Sequence, residues 1–256
     1  MGSSLLEGWS LLSLINEILI IEPNQESIPK ELIKIKKFNF YNDLSKIENS
    51  NAFDIIVLAV KPQVMKDVII KLAKINIKSN AWLSIAAGLP VDFFENYLGK
   101  NQAIIRTIPN TPSSILKGIT AMYFNRNCNS QIIENSEILM NAVGETIKVS
   151  DEGLMDSYTA VSGSGPAYIY YMVEAMINAG IQIGIDPDNA KKLAEKTLVG
   201  SAYLLENKNV DAQELRKDVT SPKGTTEAGL KVLMKDDNFF NLVKNAINHA
   251  KNRGKD

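Results

Sequence analysis

The chain has 256 residues, of which 45% are hydrophobic and 22% charged, and its formal net charge is −1. This is the composition of a folded globular protein with one large domain or two modest ones, without the basic excess that nucleic-acid binding requires. Its single cysteine, Cys128, excludes an intrachain disulfide and a cysteine-based metal site, so we expect no metal and a reducing, cytoplasmic setting. No apolar run approaches the ~20 residues of a membrane span, so we expect no membrane contact.

Residues 1–150 alternate short apolar runs with helical patterns. Unbroken apolar runs are typical of strands that are covered on both faces of a parallel sheet. The alternation predicts a Rossmann-type, doubly wound parallel α/β domain. The predicted strands are Ile18–Ile21, Ile55–Val60, Trp82–Ala86, Ala103–Thr107, Thr120–Phe124 and Thr146–Val149. The predicted helices are Ser3–Leu14, Val64–Ile75, Asp92–Leu98 and Ser130–Val143.

Residues 151–256 carry helical patterns only, which predicts a second, all-α domain. Asp186 followed by Pro187 is a good helix start, because aspartate caps the N-terminus and proline suits the first turn. The only histidine, His249, lies in the polar terminal helix, where we expect a surface residue rather than a catalytic one. The predicted helices are Leu154–Val161, Ala167–Ile183, Pro187–Leu205, Ala212–Val219, Thr226–Met234 and Phe239–Asn252.

The first residues are unusual for a nucleotide-binding domain, which normally opens with a strand, then G-x-G-x-x-G, then a helix. Here Met1 and Gly2 lead directly into the amphipathic stretch Ser3–Asn16. Gly2 then takes the place of the third glycine, and we expect the first strand and the first two glycines to be missing. Either the true N-terminus lies upstream, or the protein has lost part of its phosphate-binding turn.

Three segments lie at the ends of predicted strands, where ligands bind in open α/β sheets. Small residues dominate Ala59–Val60 and Ile85–Ala87, which would let a dinucleotide lie against the backbone, and Lys61–Pro62 adds a cation at a helix start. The two prolines of Arg106–Pro112 predict an irregular loop. Each segment can also be a stiff turn, but their recurrence at corresponding places favours a nicotinamide site.

Glu22 follows the predicted strand Ile18–Ile21, roughly 20 residues after Gly2 as the dinucleotide fingerprint requires. An acidic residue there binds the ribose hydroxyls of NAD and repels a 2′-phosphate. The alternative is that Glu22-Pro23-Asn24 is a turn chosen for its proline and asparagine.

Two segments of the second half bring small and polar residues to helix starts. In Ser162–Tyr168, glycines beside Pro166 allow a ligand or a helix to come very close, or else form a hinge. In Ser221–Thr226, threonines open a helix whose free N–H groups and dipole suit a carboxylate. The alternative for the second segment is a plain capped helix.

Together these segments resemble the pyrroline-5-carboxylate reductase family over essentially the whole chain. The runs that carry the resemblance are R-x-x-P-N-T-P, S-G-S-G-P-A-Y and S-P-x-G-T-T, with the segments at Ala59–Pro62 and Ser84–Gly88. The resemblance implies that NADPH or NADH reduces the C=N bond of 1-pyrroline-5-carboxylate to L-proline, the last step of proline synthesis. It also implies a Rossmann domain and a helical dimerisation domain, in a homodimer or a larger ring of dimers.

The resemblance assigns roles to individual residues. Thr226 would hydrogen-bond the ring nitrogen, and the backbone of Gly224, Thr225 and Thr226, with Ser221, would hold the carboxylate. Asn42 would reach the adenine ribose. The cofactor would also be lined by Gly2, Glu22, Ala59, Val60, Lys61, Pro62, Ile85, Ala86 and Ala87. A cyclic imine needs no nucleophile or metal, so this chemistry agrees with the lack of a His/Cys/Asp cluster.

Two departures from the family pattern bear on this interpretation. Lys223 stands where the family usually has a glycine; it either costs about 1 kcal/mol at a positive φ or adds a cation for the carboxylate. Glu22 stands where NADP-preferring members carry small or basic residues, which predicts a preference for NADH. The apolar residues of the helix around Met172 and Met176 predict a dimer; the alternative is that the Rossmann domain covers them.

Two other functions are open to the sequence. A related β-hydroxyacid dehydrogenase would need a lysine base on the long interdomain helix, and Ser162–Glu174 carries none. A chain that lost catalysis with its first strand would act only as a helical dimer.

Overall fold

The structure of the protein is a computed structural model that describes residues 1–47, 52–75 and 77–254. Seven strands are present in these ranges: β1 (Ile18–Ile21), β2 (Phe38–Tyr41), β3 (Ala52–Leu58), β4 (Lys78–Ser84), β5 (Ile104–Pro109), β6 (Gly118–Phe124) and β7 (Gly144–Val149). The helices of the first half are α1 (Gly2–Ser10), α2 (Lys30–Ile33), α3 (Pro62–Lys74), α4 (Val91–Leu98), α5 (Ser130–Asn141) and α6 (Met155–Tyr158). Those of the second half are α7 (Gly165–Gln182), α8 (Pro187–Asn207), α9 (Ala212–Asp218), α10 (Thr225–Met234) and α11 (Asn238–Arg253).

The strands form two groups. β1 and β2 pair in parallel, and a five-stranded sheet has the order β3-β4-β5-β6-β7. In a Rossmann sheet one further strand lies between these groups, and within the residues that the structure describes no strand joins β1 to β3. The mostly parallel sheet in the first half and the helices in the second half confirm the predicted fold, an α/β domain followed by helices.

Side chains alternate between the two faces of the five-stranded sheet, and each face has its own core. On one face, Ala81, Leu83 and Ile105 pack with α1 and α5, including Leu5 and Met140. On the other face, Trp82 and Ile104 pack with α3 and α4; the buried residues contributed by these helices are Met65, Ile69, Leu72, Val91 and Phe94. Helices on both faces explain why the strands read as nearly continuous apolar runs.

Helix α1 approaches the sheet layer most closely at a glycine that the sequence reasoning did not single out. A Cβ on Gly8 would lie 2.6 Å from the Ala142 carbonyl oxygen and 2.6 Å from Val143 Cγ1. A Cβ on Gly2 would meet only Ala59, at an ordinary contact distance of 3.9 Å. The third glycine of the dinucleotide fingerprint normally allows close packing of helix and strand, but in α1 the closest approach of a glycine occurs at Gly8, six residues after Gly2.

Two sequence predictions within this domain are wrong. The sheet is not all parallel, since β5 and β6 run antiparallel, with Arg106 opposite Tyr123 and Pro109 opposite Thr120. Arg106–Pro109 is consequently a regular part of β5 rather than an irregular loop, because proline is tolerated at the end of a strand where no ladder donor is needed. The strand β2 and the short helix α2 were not predicted.

Contacts divide the chain into two compact units. One unit contains residues 1–164 and 250–256, and the other contains residues 165–249. The sequence-based boundary near residue 150 stays a prediction. Among the described residues, no helix combines the length and the apolar character that crossing a membrane requires.

Candidate active site

The carboxyl ends of β3 and β4 bring together most of the predicted cofactor segments. Leu58 lies opposite Ser84 in the parallel register, so the residues that follow them leave the sheet side by side. These segments are Ala59–Pro62 and Ile85–Ala87. Gly2 joins the same edge, because its Cβ position lies 3.9 Å from the Cβ of Ala59. Ala59 and Ala87 are exposed there, so backbone and methyl groups are open to a ligand.

The first of these segments ends where α3 begins. Pro62 occupies the first position of α3, where its missing N–H costs nothing and its fixed φ suits the helix. Lys61 precedes it as an exposed N-cap residue without a side-chain capping bond. The N-terminal N–H groups of α3 and the Lys61 ammonium thus lie at this edge, a combination that favours anions.

The start of the segment after β4 is held by hydroxyl groups. Ser84 Oγ accepts a hydrogen bond from the Ala86 N–H at 3.2 Å, and the Ile85 N–H donates to the Leu58 carbonyl at 3.3 Å. Thr107, fully buried, donates its hydroxyl to the Ser84 carbonyl at 3.0 Å. The position of Ala86 is therefore determined by the two strands that flank β4.

The end of the same segment is held by a carboxylate. Glu152 Oε1 accepts from the N–H of Val91, the first residue of α4, at 2.7 Å and from Arg106 Nη1 at 2.5 Å. The Arg106 side chain is 6% exposed and that of Glu152 is 27% exposed. A negative charge at the start of α4 also interacts favourably with the helix dipole.

Two groups of this unit have perturbed protonation. Burial, followed by the negative charges of Glu152 and Asp151, raises the pKa of the Tyr123 hydroxyl. Burial raises the pKa of the Cys128 thiol to about 11. Both groups therefore stay protonated at neutral pH, and Cys128 is not an activated nucleophile.

The predicted adenine-side residues lie at the ends of β1 and β2. Ile21 is opposite Tyr41, so Glu22 and Asn42 follow adjacent strands. Glu22 Oε1 accepts from the Asn24 N–H at 2.9 Å, which is the bond expected of a turn. Asn42 is exposed. Glu22 thus stabilises its own turn through one of its two carboxylate oxygens.

The predicted carboxylate-binding segment forms a tight turn before α10. The Gly224 N–H donates to the Ser221 carbonyl at 3.0 Å, so this predicted donor is already engaged within the turn. Gly224 is the N-cap residue of α10 and provides no side-chain cap. The N–H groups of Thr225 and Thr226, in the first turn of that helix, have no acceptor within it.

Lys223 adopts the left-handed conformation that the sequence analysis considered, with φ of +61°. Its N–H donates to Glu227 Oε2 at 2.6 Å, and Glu227 Oε1 lies 3.3 Å from Lys231 Nζ. These bonds, first that from Lys223 and then that from Lys231, lower the pKa of Glu227. Glu227 therefore stabilises the turn in its strained conformation.

The glycines of Ser162–Tyr168 differ in their surroundings. A Cβ on Gly163 would lie 3.4 Å from Ile108 Cγ2, which is a close approach of this backbone to β5. Gly163 ends a π-helical turn over Thr159–Gly163, and Ser162 donates to the Tyr158 carbonyl at 2.9 Å. A Cβ on Gly165 would meet no heavy atom within 4 Å. The backbone is thus closely packed at Gly163, whereas the space around Gly165 in the same motif is open.

The pair of Arg106 and Glu152 is the main feature that sequence reasoning missed. Arg106 was placed in the predicted strand Ala103–Thr107 and at the start of the predicted loop Arg106–Pro112, and no role was predicted for Glu152. The signal was present, since a charged residue that directly follows Ile104 and Ile105 in a buried strand needs a partner of opposite charge. The sequence does not say which of the 29 acidic residues provides it.

Other features lie away from this edge. A cavity of about 410 Å³ lies at the opposite edge of the sheet, lined by polar side chains such as Asp54, Asn80 and Asn129, and contains none of the predicted site residues. His249 is exposed in this chain, as predicted. Among the described residues, no cluster of three or more His, Cys, Asp or Glu side chains has the arrangement of a metal site.

Comparison with known proteins identifies the relatives of this chain. Residues 152–256 match the family model described as pyrroline-5-carboxylate reductase dimerisation. A pyrroline-5-carboxylate reductase of Pseudomonas aeruginosa is 39% identical over 200 residues, which cover 78% of this chain and 73% of the relative. One from Haemophilus influenzae is 33% identical over 231 residues, covering 88% of this chain and 81% of the relative.

Solved structures agree with these relatives over nearly the full length. The pyrroline-5-carboxylate reductase of Coxiella burnetii has a TM-score of 0.87 at 32% identity, covering 99% of this chain and 93% of that one. The pyrroline carboxylate reductase of Plasmodium falciparum, solved with NADP bound, has a TM-score of 0.80 at 28% identity, covering 100% of this chain and 93% of that one. The chain belongs to the pyrroline-5-carboxylate reductase family.

Proposed function

We propose that this protein reduces the C=N bond of 1-pyrroline-5-carboxylate to give L-proline, with NADH or NADPH as the hydride donor. The chain belongs to a family whose relatives carry this activity in their names. Two parts of the described chain support the proposal: one suits a dinucleotide, and the other suits a small carboxylate.

The dinucleotide would bind at the carboxyl edge of the sheet. Gly2, Ala59–Pro62 and Ile85–Ala87 lie together there, and small exposed side chains at Ala59 and Ala87 leave room for a flat ligand. Glu22 and Asn42 would meet the adenine ribose, where the charge of Glu22 favours NADH over NADPH. When bound, the reduced nicotinamide supplies the hydride.

The substrate carboxylate would bind at the start of α10. The N–H groups of Thr225 and Thr226 and the positive end of the helix dipole are suited to an anion. Gly224 would act differently from the initial prediction, by shaping the turn through its bond to Ser221, because its own N–H is engaged. The Thr226 hydroxyl would hydrogen-bond the ring nitrogen of the imine.

The chemistry demands positioning rather than bond-making by the protein. Protonation of the ring nitrogen makes the adjacent carbon a strong hydride acceptor, and no covalent intermediate is needed. Holding donor and acceptor carbons at about 3–3.5 Å in the correct orientation supplies most of the acceleration. Thr226 would fix the ring by its nitrogen while the neighbouring N–H groups fix the carboxylate.

The observation that carries this proposal is the uncapped N-terminus of α10. Its N-cap is a glycine without a side-chain bond, and two threonines follow it. A helix that served only as a structural element would still gain about a few tenths of a kcal/mol from a Ser, Thr or Asp at that N-cap. Leaving the position open is useful when a ligand carboxylate is the cap.

The direct test is a spectrophotometric assay of the purified full chain with 1-pyrroline-5-carboxylate and either NADH or NADPH. We expect turnover with both and a higher kcat/KM with NADH. Thr226→Ala should lower kcat at least tenfold. This factor corresponds to about 1.4 kcal/mol, which is a typical contribution of one hydrogen bond, here the bond to the reacting ring. Thr226→Ser, which keeps the hydroxyl, is the matched control and should stay within about threefold of wild type.

The outcomes separate the alternatives. If Thr226→Ala is as active as wild type, the assigned substrate geometry is wrong. If the wild-type chain forms no proline with either nucleotide but remains a dimer, the protein is a helical dimerisation protein without this activity.

We also propose that the protein is a homodimer through its helical unit. Of the apolar residues in the fully described range 165–249, only Ala190 and Ala194 are buried. Large side chains that are more than half exposed are found on four of its helices, and they include Tyr170, Tyr171, Tyr203, Val232, Phe240 and Leu242. So much apolar surface needs a partner, and residues 152–256 match a dimerisation family. Sedimentation equilibrium should give at least twice the 28.3 kDa chain mass.

A further inference from the structure

The segment between β4 and α4 is anchored at two places by other parts of the chain. Ser84 and Thr107 hold its start, as described above. Glu152 holds its end at Val91. At its tip, Gly88 has φ of +76°, and its Cβ position lies 3.7 Å from the carbonyl oxygen of Gly254, near the end of the chain. We call Ile85–Pro90, the six residues between these anchors, the β4–α4 loop.

We propose that Glu152 is a positioning residue for nicotinamide binding, which sets the geometry of the β4–α4 loop and is itself held in place by Arg106. This rests on the proposed function only in assigning the loop to a dinucleotide. The inference concerns residues outside the loop that touch neither cofactor nor substrate in the proposed site.

The geometry favours Glu152 as a dedicated anchor. A single oxygen, Oε1, accepts from both the Val91 N–H and the Arg106 guanidinium, so the two bonds are coupled through one atom. The Val91 N–H is one of the first N–H groups of α4, which have no acceptor within the helix. A charged acceptor there is stronger than a neutral one and is further favoured by the helix dipole.

Arg106 explains why the anchor is rigid. Its side chain is 6% exposed and lies on β5, in the middle of the sheet, where it cannot shift without disturbing the core. Within the described residues its Nε is buried and has no hydrogen-bond partner. Glu152 is therefore the counter-ion on which this buried charge depends, and the strong mutual attraction fixes the carboxylate at the end of the loop.

The proposal is tested by titrating NADPH and NADH against the full-length protein and following the fluorescence of the reduced nicotinamide. We expect Glu152→Gln, which loses the charge but keeps an acceptor oxygen, to raise the Kd for both nucleotides about tenfold, as expected for weakening a hydrogen bond to a charged group. In the reductase assay, the KM for the nucleotide should rise by the same factor while the KM for 1-pyrroline-5-carboxylate stays unchanged.

The matched control is a second ion pair in the same unit. Glu137 Oε2 lies 3.0 Å from Lys148 Nζ, and the Glu137 side chain is 25% exposed, against 27% for Glu152. This pair joins α5 to β7 and touches no part of the β4–α4 loop. Glu137→Gln should leave nucleotide affinity within about twofold of wild type, because losing an ion pair that does not contact the β4–α4 loop should not change the geometry of that loop.

A double variant separates positioning from stability. Glu152→Gln leaves the buried Arg106 charge poorly compensated and lowers stability, whereas Arg106→Met with Glu152→Met removes both charges and restores stability. If positioning is the role, the stable double variant still binds nucleotide weakly. If its affinity returns to the wild-type value, or if Glu152→Gln binds as wild type does, the proposal is overturned.

Failure of the proposed function gives a different pattern. A wild-type chain that binds NADPH but does not reduce 1-pyrroline-5-carboxylate contradicts the substrate assignment, and weaker binding by Glu152→Gln in that chain still supports the inference. A wild-type chain that binds neither nucleotide contradicts both.

Discussion

Replacing Lys223 with glycine tests the backbone energetics of the turn before α10. Lys223 has φ of +61°, and a single non-glycine residue in this conformation costs about 1–2 kcal/mol. Glycine avoids that cost but loses about 0.5–1 kcal/mol through the greater freedom of its unfolded chain. The N–H that donates to Glu227 at 2.6 Å is a backbone group and is retained. We therefore expect Lys223→Gly to stabilise the protein by about 0.5–1 kcal/mol.

The free energy of unfolding is measured by urea denaturation at one fixed protein concentration, because an oligomer's stability depends on concentration. Gly184→Ala is the reciprocal control. Gly184 has φ of +98°, and its Cβ position has no heavy atom within 4 Å, so only the backbone penalty acts. Because alanine also restricts the unfolded chain and so recovers about 0.5–1 kcal/mol, this variant should be less stable by about 0.5–1 kcal/mol. A less stable Lys223→Gly variant, or an unchanged Gly184→Ala variant, refutes the reasoning.

The same variant decides whether the Lys223 ammonium assists the carboxylate. Lys223 is exposed, so its charge contributes at most about 1 kcal/mol to anion binding. Its loss should raise the KM for 1-pyrroline-5-carboxylate, by no more than about fivefold. The difference in KM between the variant and wild type should vanish at ~1 M salt, where charges are screened within about 3 Å. A KM that is unchanged at low salt contradicts a role for the cation in binding.

Three other predictions concern separate parts of the molecule. Glu22→Ser should raise the ratio of kcat/KM with NADPH to kcat/KM with NADH at least about fivefold, since a carboxylate near a 2′-phosphate costs about 1 kcal/mol or more. Glu26→Ser, at an exposed residue, is the control. An unchanged ratio in Glu22→Ser would contradict a role for Glu22 in cofactor preference and would leave only its hydrogen bond to Asn24. Because the pKa of Cys128 is raised to about 11, its thiol should resist iodoacetamide at about pH 8 in the folded protein and react after unfolding, as followed by mass spectrometry. Its contribution to stability should be full below the ordinary thiol pKa of 9.0 and should decline as the pH rises from there to about 11; rapid alkylation of the folded protein would contradict this. Gly8→Ala should lower stability by about 1–3 kcal/mol because its methyl group meets the backbone of Ala142 at 2.6 Å, whereas Gly2→Ala in the same helix should be neutral or stabilising by thermal unfolding.

Local sequence pattern was sufficient for most of the elements. The strand β1 has the predicted bounds Ile18–Ile21, and α10 begins at Thr225, one residue before its predicted start. Such elements are readable because an apolar run or a capping residue acts on its immediate neighbours. β2 was missed because its sequence, F-N-F-Y, is short and only Phe38 is buried. Its place as a strand depends on pairing with β1, which lies many residues earlier.

Strand direction was not readable from the same patterns. β5 and β6 are antiparallel, yet Ile104 and Ala121 stand in apolar runs like those of the parallel strands. Burial on both faces produces the same composition in either direction. The prolines of Arg106–Pro112 suggested an irregular loop because proline cannot donate a backbone hydrogen bond. The sequence does not show which backbone N–H groups of a strand are needed for pairing, so it could not show that proline is tolerated at this position.

By itself, the sequence determined the alternation of strands and helices, the order of the segments that line the proposed site, and the family to which the chain belongs. These depend on neighbouring residues and on motifs of a few positions each. Only the tertiary structure decided that the Gly224 N–H donates a hydrogen bond within the turn and that Glu227 accepts one from the Lys223 N–H. It also decided that Glu152 binds both Arg106 and the first N–H of α4. Hydrogen bonds and buried charges are satisfied by whichever groups the fold brings within reach, and that proximity is set by the packing of the whole chain.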